Sequence, residues 1–91
     1  MDFEYDPQKS ELNKIKHGID FEEAKALWFD ETAFQVDTAP GDEERFLVIG
    51  SIGGVIWTSV ITFREERIRI ISVRRARNQE VKQYDNRKGI R

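Results

Sequence analysis

RFLVIGSIGGVIWTSVITFREERIRIISVRR, residues 45–75, is the stretch on which the fold turns. Its first part, RFLVIGS, and its second, VIWTSVITF, are rich in β-branched and aromatic residues, and IGG lies between them. Paired glycines in such a gap suit the positive-φ positions of a short hairpin loop. FREER then turns the chain into RIRIISVRR, 67–75, so the stretch predicts three consecutive strands in an antiparallel meander.

Working outward, AFQVD at 33–37 predicts a further strand and APGDEE at 39–44 an exposed turn. Alternation over residues 2–5 predicts a short first strand. Asp6 is a suitable N-cap and Pro7 suits the first helical position, so a first helix is expected from Pro7 to about His17. Gly18 stands where a left-handed C-terminal cap belongs, and Leu12, Ile15 and Ile19 share a side at helical spacing. Asp20 opens a second helix, with Glu23 completing a capping box and Ile19 and Ala24 at the staple positions. Phe21, Ala24, Leu27 and Trp28 form its expected buried stripe. A last helix is expected from Asn78 to about Tyr84, with Val81 and Tyr84 on one side and NRKGIR as a loose tail.

The predicted order is β-α-α-β-β-β-β-α. It describes one α+β domain over residues 1–91, whose mainly antiparallel sheet has four or five strands. There is no internal repeat, linker or low-complexity segment.

At 91 residues, 35% charged and 38% apolar, the chain is long enough for one core and typical of a folded protein. With no cysteine, disulfides and thiolate chemistry are excluded. Four charges in the first ten residues argue against a signal peptide, and no apolar run approaches membrane-spanning length. The expected location is therefore the cytoplasm. The net charge of −2 conceals an asymmetry. Residues 1–44 hold four Lys/Arg against thirteen Asp/Glu, and residues 45–91 hold eleven against four, balances of −9 and +7. Such a split suits either an anionic partner for the second half or attraction between the two halves.

Several familiar sites are absent. GSIGG lacks the lysine and spacing of a phosphate-binding P-loop, and a single histidine without cysteine gives no zinc signature. The adjacent glutamates of DFEEA, residues 20–24, point to different sides of a helix, so they read as a capped, solvated helix start rather than a magnesium site.

His17, at a helix C-terminus, lies where the helix dipole favours an imidazolium; it reads as a C-terminal cap or as a functional group. Lys14 and Lys16 suit the same helix end. In RIRIISVRR, strict alternation puts Arg67, Arg69 and Arg75 on one face and Ile68, Ile70, Ser72 and Arg74 on the other. Arg74 would then end a row that begins in the core. A charge there requires an anion, either a carboxylate such as Glu80 or a bound phosphate. Glu80 and Tyr84 lie one turn apart on the last helix, so both can face that strand end. Cleaving RNA without a metal takes a base for the 2′-hydroxyl, cations for the phosphate and an acid for the departing 5′-oxygen; Lys, Arg, Tyr and His can share those tasks.

Three separated motifs, EYDPQK…NKIKHGIDFEEA, DEERFLVIG and RIRIISVRRA…E…Y, resemble the BrnT-type toxins of bacterial type II toxin–antitoxin systems, over nearly the whole chain. Tyr5 stands where that family more often has tryptophan. The resemblance implies a RelE-like fold and a metal-independent endoribonuclease without cofactor that blocks translation. Its partners would be an RNA substrate and a cognate antitoxin with a ribbon-helix-helix DNA-binding part, DNA being met only through the antitoxin complex, with no membrane. It points to Lys16, His17, Arg45, Arg74, Arg75, Glu80 and Tyr84 as catalytic residues. Arg74 would be the phosphate clamp, supported by Arg45 or Arg75, and Lys16, His17 or Tyr84 the base or acid. The competing reading is a non-catalytic module whose basic second half docks a partner protein or nucleic acid.

Overall fold

The structure, a computed structural model, describes residues 2–38 and 44–89. Its elements run β1 (Phe3–Glu4), α1 (Pro7–His17), α2 (Phe21–Ala24), a 3₁₀ turn (Lys25–Phe29), β2 (Phe34–Asp37), β3 (Phe46–Ile52), β4 (Val55–Arg64), β5 (Arg67–Arg75) and α3 (Asn78–Lys88). The expected order is found. α3 runs four residues beyond Tyr84, taking in Asn86–Lys88 of the expected tail. Of the expected turn at 39–44, only Glu44 lies within the described residues, and it is exposed.

The five strands form one sheet in the order β1-β5-β4-β3-β2. β2 to β5 pair antiparallel, as the meander predicts, but β1 runs parallel to β5, with Phe3 opposite Ile68. The sheet is therefore mixed. A two-residue strand gives no sequence signal of its direction.

The helix ends follow the local chemistry. Asp6 accepts from the Gln8 amide at 2.9 Å, and Gly18 takes the left-handed conformation at φ 82° that a side chain would disfavour. The Asp20–Glu23 capping box closes in both directions. Phe21, Ala24 and Leu27 are fully buried and Trp28 partly so. Their strict spacing of three matches the passage of α2 into a 3₁₀ turn, where residues three apart eclipse.

α1 does not bury the side its apolar spacing suggested. Leu12 is 64% and Ile15 83% exposed, whereas Ser10 and Asn13 are buried. The inward side is polar because it bonds to backbone. The Ser10 hydroxyl accepts from the Phe21 amide at 2.9 Å. Asn13 donates to the carbonyls of Ile19 (2.8 Å) and Val73 (2.9 Å) and accepts from the Val73 amide (3.2 Å). β1 pairs only with Ile68 and Arg69, so Asn13 stands in for the missing strand further along β5.

The core joins Ile19, Phe21, Ala24 and Leu27 to Val48, Ile61, Ile68, Ile70 and Val73. Phe3 packs edge-on against Trp28, ring centres 5.0 Å apart, tying β1 to the 3₁₀ turn. Among the described residues no helix is long and apolar enough to cross a membrane.

Candidate active site

β5 is not a regular strand. Val60 pairs with Ser72 and Ile61 with Ile70, which leaves Ile71 as an extra residue, a β-bulge. The bulge reverses the alternation beyond it. Val73, rather than Ser72, continues the buried row of Ile68 and Ile70. Arg74, opposite Thr58, therefore shares a face with Arg69, opposite Thr62, and Arg75 follows Val73. This reverses the expectation that Arg74 ends the core row; one added residue is invisible to a period-two reading.

On its own face Arg74 meets α3. Its guanidinium grips Glu80 with two parallel bonds, Nη1–Oε1 2.8 Å and Nη2–Oε2 3.0 Å. Glu80 also accepts from the Thr58 hydroxyl at 3.0 Å and from the Arg77 amide at 2.8 Å, the return half of a capping box for α3. The Arg74 fork, against the opposing effect of burial and with help from the Arg77 amide and Thr58, lowers the Glu80 carboxyl to about 2. Glu80 is thus the carboxylate partner that the sequence offered for Arg74.

One turn along α3, Tyr84 is buried, and its phenol donates to Asp30 at 2.7 Å. The same carboxylate accepts from the amides of Ser51 (2.7 Å) and Thr32 (3.0 Å). β2 begins at Phe34, opposite Ile49, so Asp30 fills the place of a strand partner at Ser51, as Asn13 does at Val73. Burial, then the Asp30 bond, raises the Tyr84 phenol above its ordinary value. Burial alone would raise Asp30 too, but the bonds from Tyr84, Ser51 and Thr32 outweigh it and leave its carboxyl lowered. A cleft of about 510 Å³ opens here, with Phe29, Asp30, Ser51, Tyr84 and Lys88 among its walls.

The other predicted residues divide between the two ends of the sheet. Arg75 is exposed, its guanidinium 5.6 Å from the centre of the Trp57 ring on the neighbouring strand. Asn13 fixes α1 alongside Val73, and His17 follows one turn further on the same side of the helix. His17 is half-buried and Lys16 exposed. Arg45 lies elsewhere. It precedes Phe46, which pairs with Ile61, whereas the partner of Arg74, Thr58, pairs with Ile49. Four residues of strand, about 13 Å, separate the two positions. Its carbonyl accepts from the amide and hydroxyl of Thr38.

Thus Arg74, Glu80 and Tyr84 join α3 to one face of the sheet, Arg75 follows on the opposite face, and Arg45 does not join them. The arrangement divides their chemistry. Glu80, lowered by its arginine, is a poor base, and Tyr84, raised and committed to Asp30, does not supply a phenolate near neutral pH. Both fasten α3 to the sheet. The imidazole of His17 and the exposed cations of Lys16 and Arg75 stand outside those bonds. Sequence reasoning missed Asn13, Asp30, Thr58 and Trp57. Only Asp30 carried a local cue, the turn it forms with the Thr32 amide two residues on.

No curated protein matches the chain. A family model does, over residues 5–80 of 91, described as the ribonuclease toxin, BrnT, of type II toxin–antitoxin systems. The match takes in both helices of the N-terminal corner, the whole meander and Glu80. The chain belongs to the BrnT family of ribonuclease toxins.

Proposed function

We propose that this chain is a metal-independent endoribonuclease whose reaction centre is built from His17, Lys16 and Arg75 at the end of β5. The single observation carrying the reading is the division of labour there. The carboxylates of Asp30 and Glu80 are each engaged by several protein donors, while His17, Lys16 and Arg75 take no part in those bonds. In the reaction, His17 takes the proton of the RNA 2′-hydroxyl as that oxygen bonds to phosphorus. Arg75 stabilises the negative charge that builds on the phosphoryl oxygens. The bond from phosphorus to the 5′-oxygen breaks and Lys16 returns a proton to the departing oxygen, leaving a 2′,3′-cyclic phosphate and a 5′-hydroxyl. Arg74 acts through Glu80 by holding the strand end and α3 in register. The fold is read as RelE-like and the setting as cytoplasmic. The antitoxin implied by the family would be the neutralising partner, with a ribbon-helix-helix part through which the complex meets DNA.

The test is cleavage of total cellular RNA by the purified chain in excess EDTA, beside His17→Ala. The expected result is undiminished cleavage in EDTA, a rate about 10²-fold lower or less in the variant, and cyclic-phosphate ends. Cleavage abolished by EDTA and restored by magnesium would reject metal independence. Equal cleavage by parent and variant would reject His17.

A further inference from the structure

The outward side of α1, Lys16 apart, has no role in the site described above. Gln8, Leu12 and Ile15 share it, Lys9 and Lys16 line one flank, and Glu11 lines the other. Leu12 and Ile15, 64% and 83% exposed, place two large apolar side chains in water within one turn of each other. Beside Ile15 a cleft of about 370 Å³, lined by Ser10, Glu11, Lys14 and Asp20, has room for an inserted side chain. The helix is also basic against its surroundings. α1 holds three lysines and one glutamate within a half-chain whose balance is −9, and Lys14 is paired with Glu23 at 2.7 Å, which leaves Lys9 and Lys16 for a partner.

We propose that this ridge is the docking surface for the antitoxin, which lays an amphipathic segment along α1 with its apolar row on Leu12 and Ile15 and carboxylates against Lys9 and Lys16. The proposal rests on the family's implication of an antitoxin partner and on the reading of Lys16 and His17 as reaction-centre residues. Other occupants fit less well. RNA favours aromatic platforms, and Leu12 and Ile15 present none. In an antiparallel pair of two copies the Lys9–Lys16 flanks face each other, and in a parallel pair one Glu11 faces two lysines. A partner lying along this helix reaches its C-terminal end, so docking covers Lys16 on the flank of the ridge and takes that cation from RNA.

The experiment compares the parent chain with Leu12→Glu, Ile15→Glu and Lys9→Glu, folding being checked by thermal unfolding. Cleavage of a short RNA is followed with increasing amounts of purified cognate antitoxin, and binding is titrated by calorimetry. Expected are cleavage rates within about twofold of the parent and antitoxin affinity at least about tenfold weaker for Leu12→Glu and Ile15→Glu. For Lys9→Glu a smaller, salt-dependent loss is expected. Unchanged affinity and inhibition in folded Leu12→Glu and Ile15→Glu overturn the proposal. Loss of cleavage with antitoxin binding intact overturns it in favour of RNA, and conversion of a parental dimer to a monomer overturns it in favour of a second copy. If the parent itself does not cleave RNA, the reading under Proposed function fails, and the calorimetric titration still decides the docking surface on its own.

Discussion

At Val73 the backbone of β5 runs out of strand partners, because β1 ends at Glu4. The Asn13 side chain supplies one donor and one acceptor there, and a second donor to Ile19. Removing it orphans buried backbone groups, each worth about 1–3 kcal/mol. Asn13→Ala is therefore expected to lose about 2–4 kcal/mol in urea denaturation, while Leu12→Ala on the exposed side stays within about 0.5 kcal/mol. Glu80 gives a prediction in pH. Its folded carboxyl lies at about 2, below the ordinary 4.5, so the unfolded chain binds its proton first. The stability it contributes is fully present above pH 4.5 and is lost as pH falls from there towards 2, an effect on the order of 2 kcal/mol. Asp30, also lowered, works in the same direction. Glu80→Gln should be less stable than the parent at pH 7 and lose less on acidification. Parallel pH profiles for the two proteins would show that the Arg74 pair contributes nothing.

Among the elements, the two hairpins of the meander solve one geometric problem with different residues. Gly53 and Gly54 take φ of 58° and 85° between Ile52 and Val55, and the paired glycines announce that turn in the sequence. Glu65 and Glu66 take φ of 50° and 69° between Arg64 and Arg67, a conformation that costs side-chain-bearing residues about 1 kcal/mol or more each. Glu65→Asn with Glu66→Gly is expected to stabilise the chain by about 1 kcal/mol and raise the melting temperature by about 4–8 °C. The same contrast explains what could be read in advance. Strand bounds, helix caps and the glycine turn follow from local chemistry and were legible. The inward side of α1 was not, because Ser10 and Asn13 earn their burial from backbone groups as distant as Val73. The Ile71 bulge was not legible either, since it exists only in the pairing of β4 with β5, and it decides which face Arg74 and Arg75 take.

Over the whole molecule, the candidate residues separate by position more than by type. The sequence supplies seven of them, and Arg74, Glu80 and Tyr84 meet between α3 and one end of the sheet. The residues that hold α1 and α3 to the sheet, Asn13, Asp30 and Thr58, are ordinary polar side chains whose roles depend on contacts 22 to 60 positions apart. Arg45 marks the other end, near Thr62, whose hydroxyl bonds the Glu44 carbonyl. With the reaction centre proposed above, this separation sets the reach of each cation on RNA. A trinucleotide with its scissile phosphate at Arg75 engages little beyond the end of β5, whereas a longer strand can run along the protein towards Arg45. Arg75→Ala should then lower kcat/KM on a trinucleotide by about 10²-fold, the loss typical of one charge-stabilising donor. Arg45→Ala should leave the trinucleotide within about threefold and weaken only longer RNA, with the slope of log affinity against log salt smaller by about 0.7 for one lost phosphate contact. Initial rates on the two substrate lengths, each measured across a salt series, distinguish the cases. A trinucleotide rate that collapses in Arg45→Ala would place the reaction at the other end of the sheet and remove His17 and Arg75 from it together.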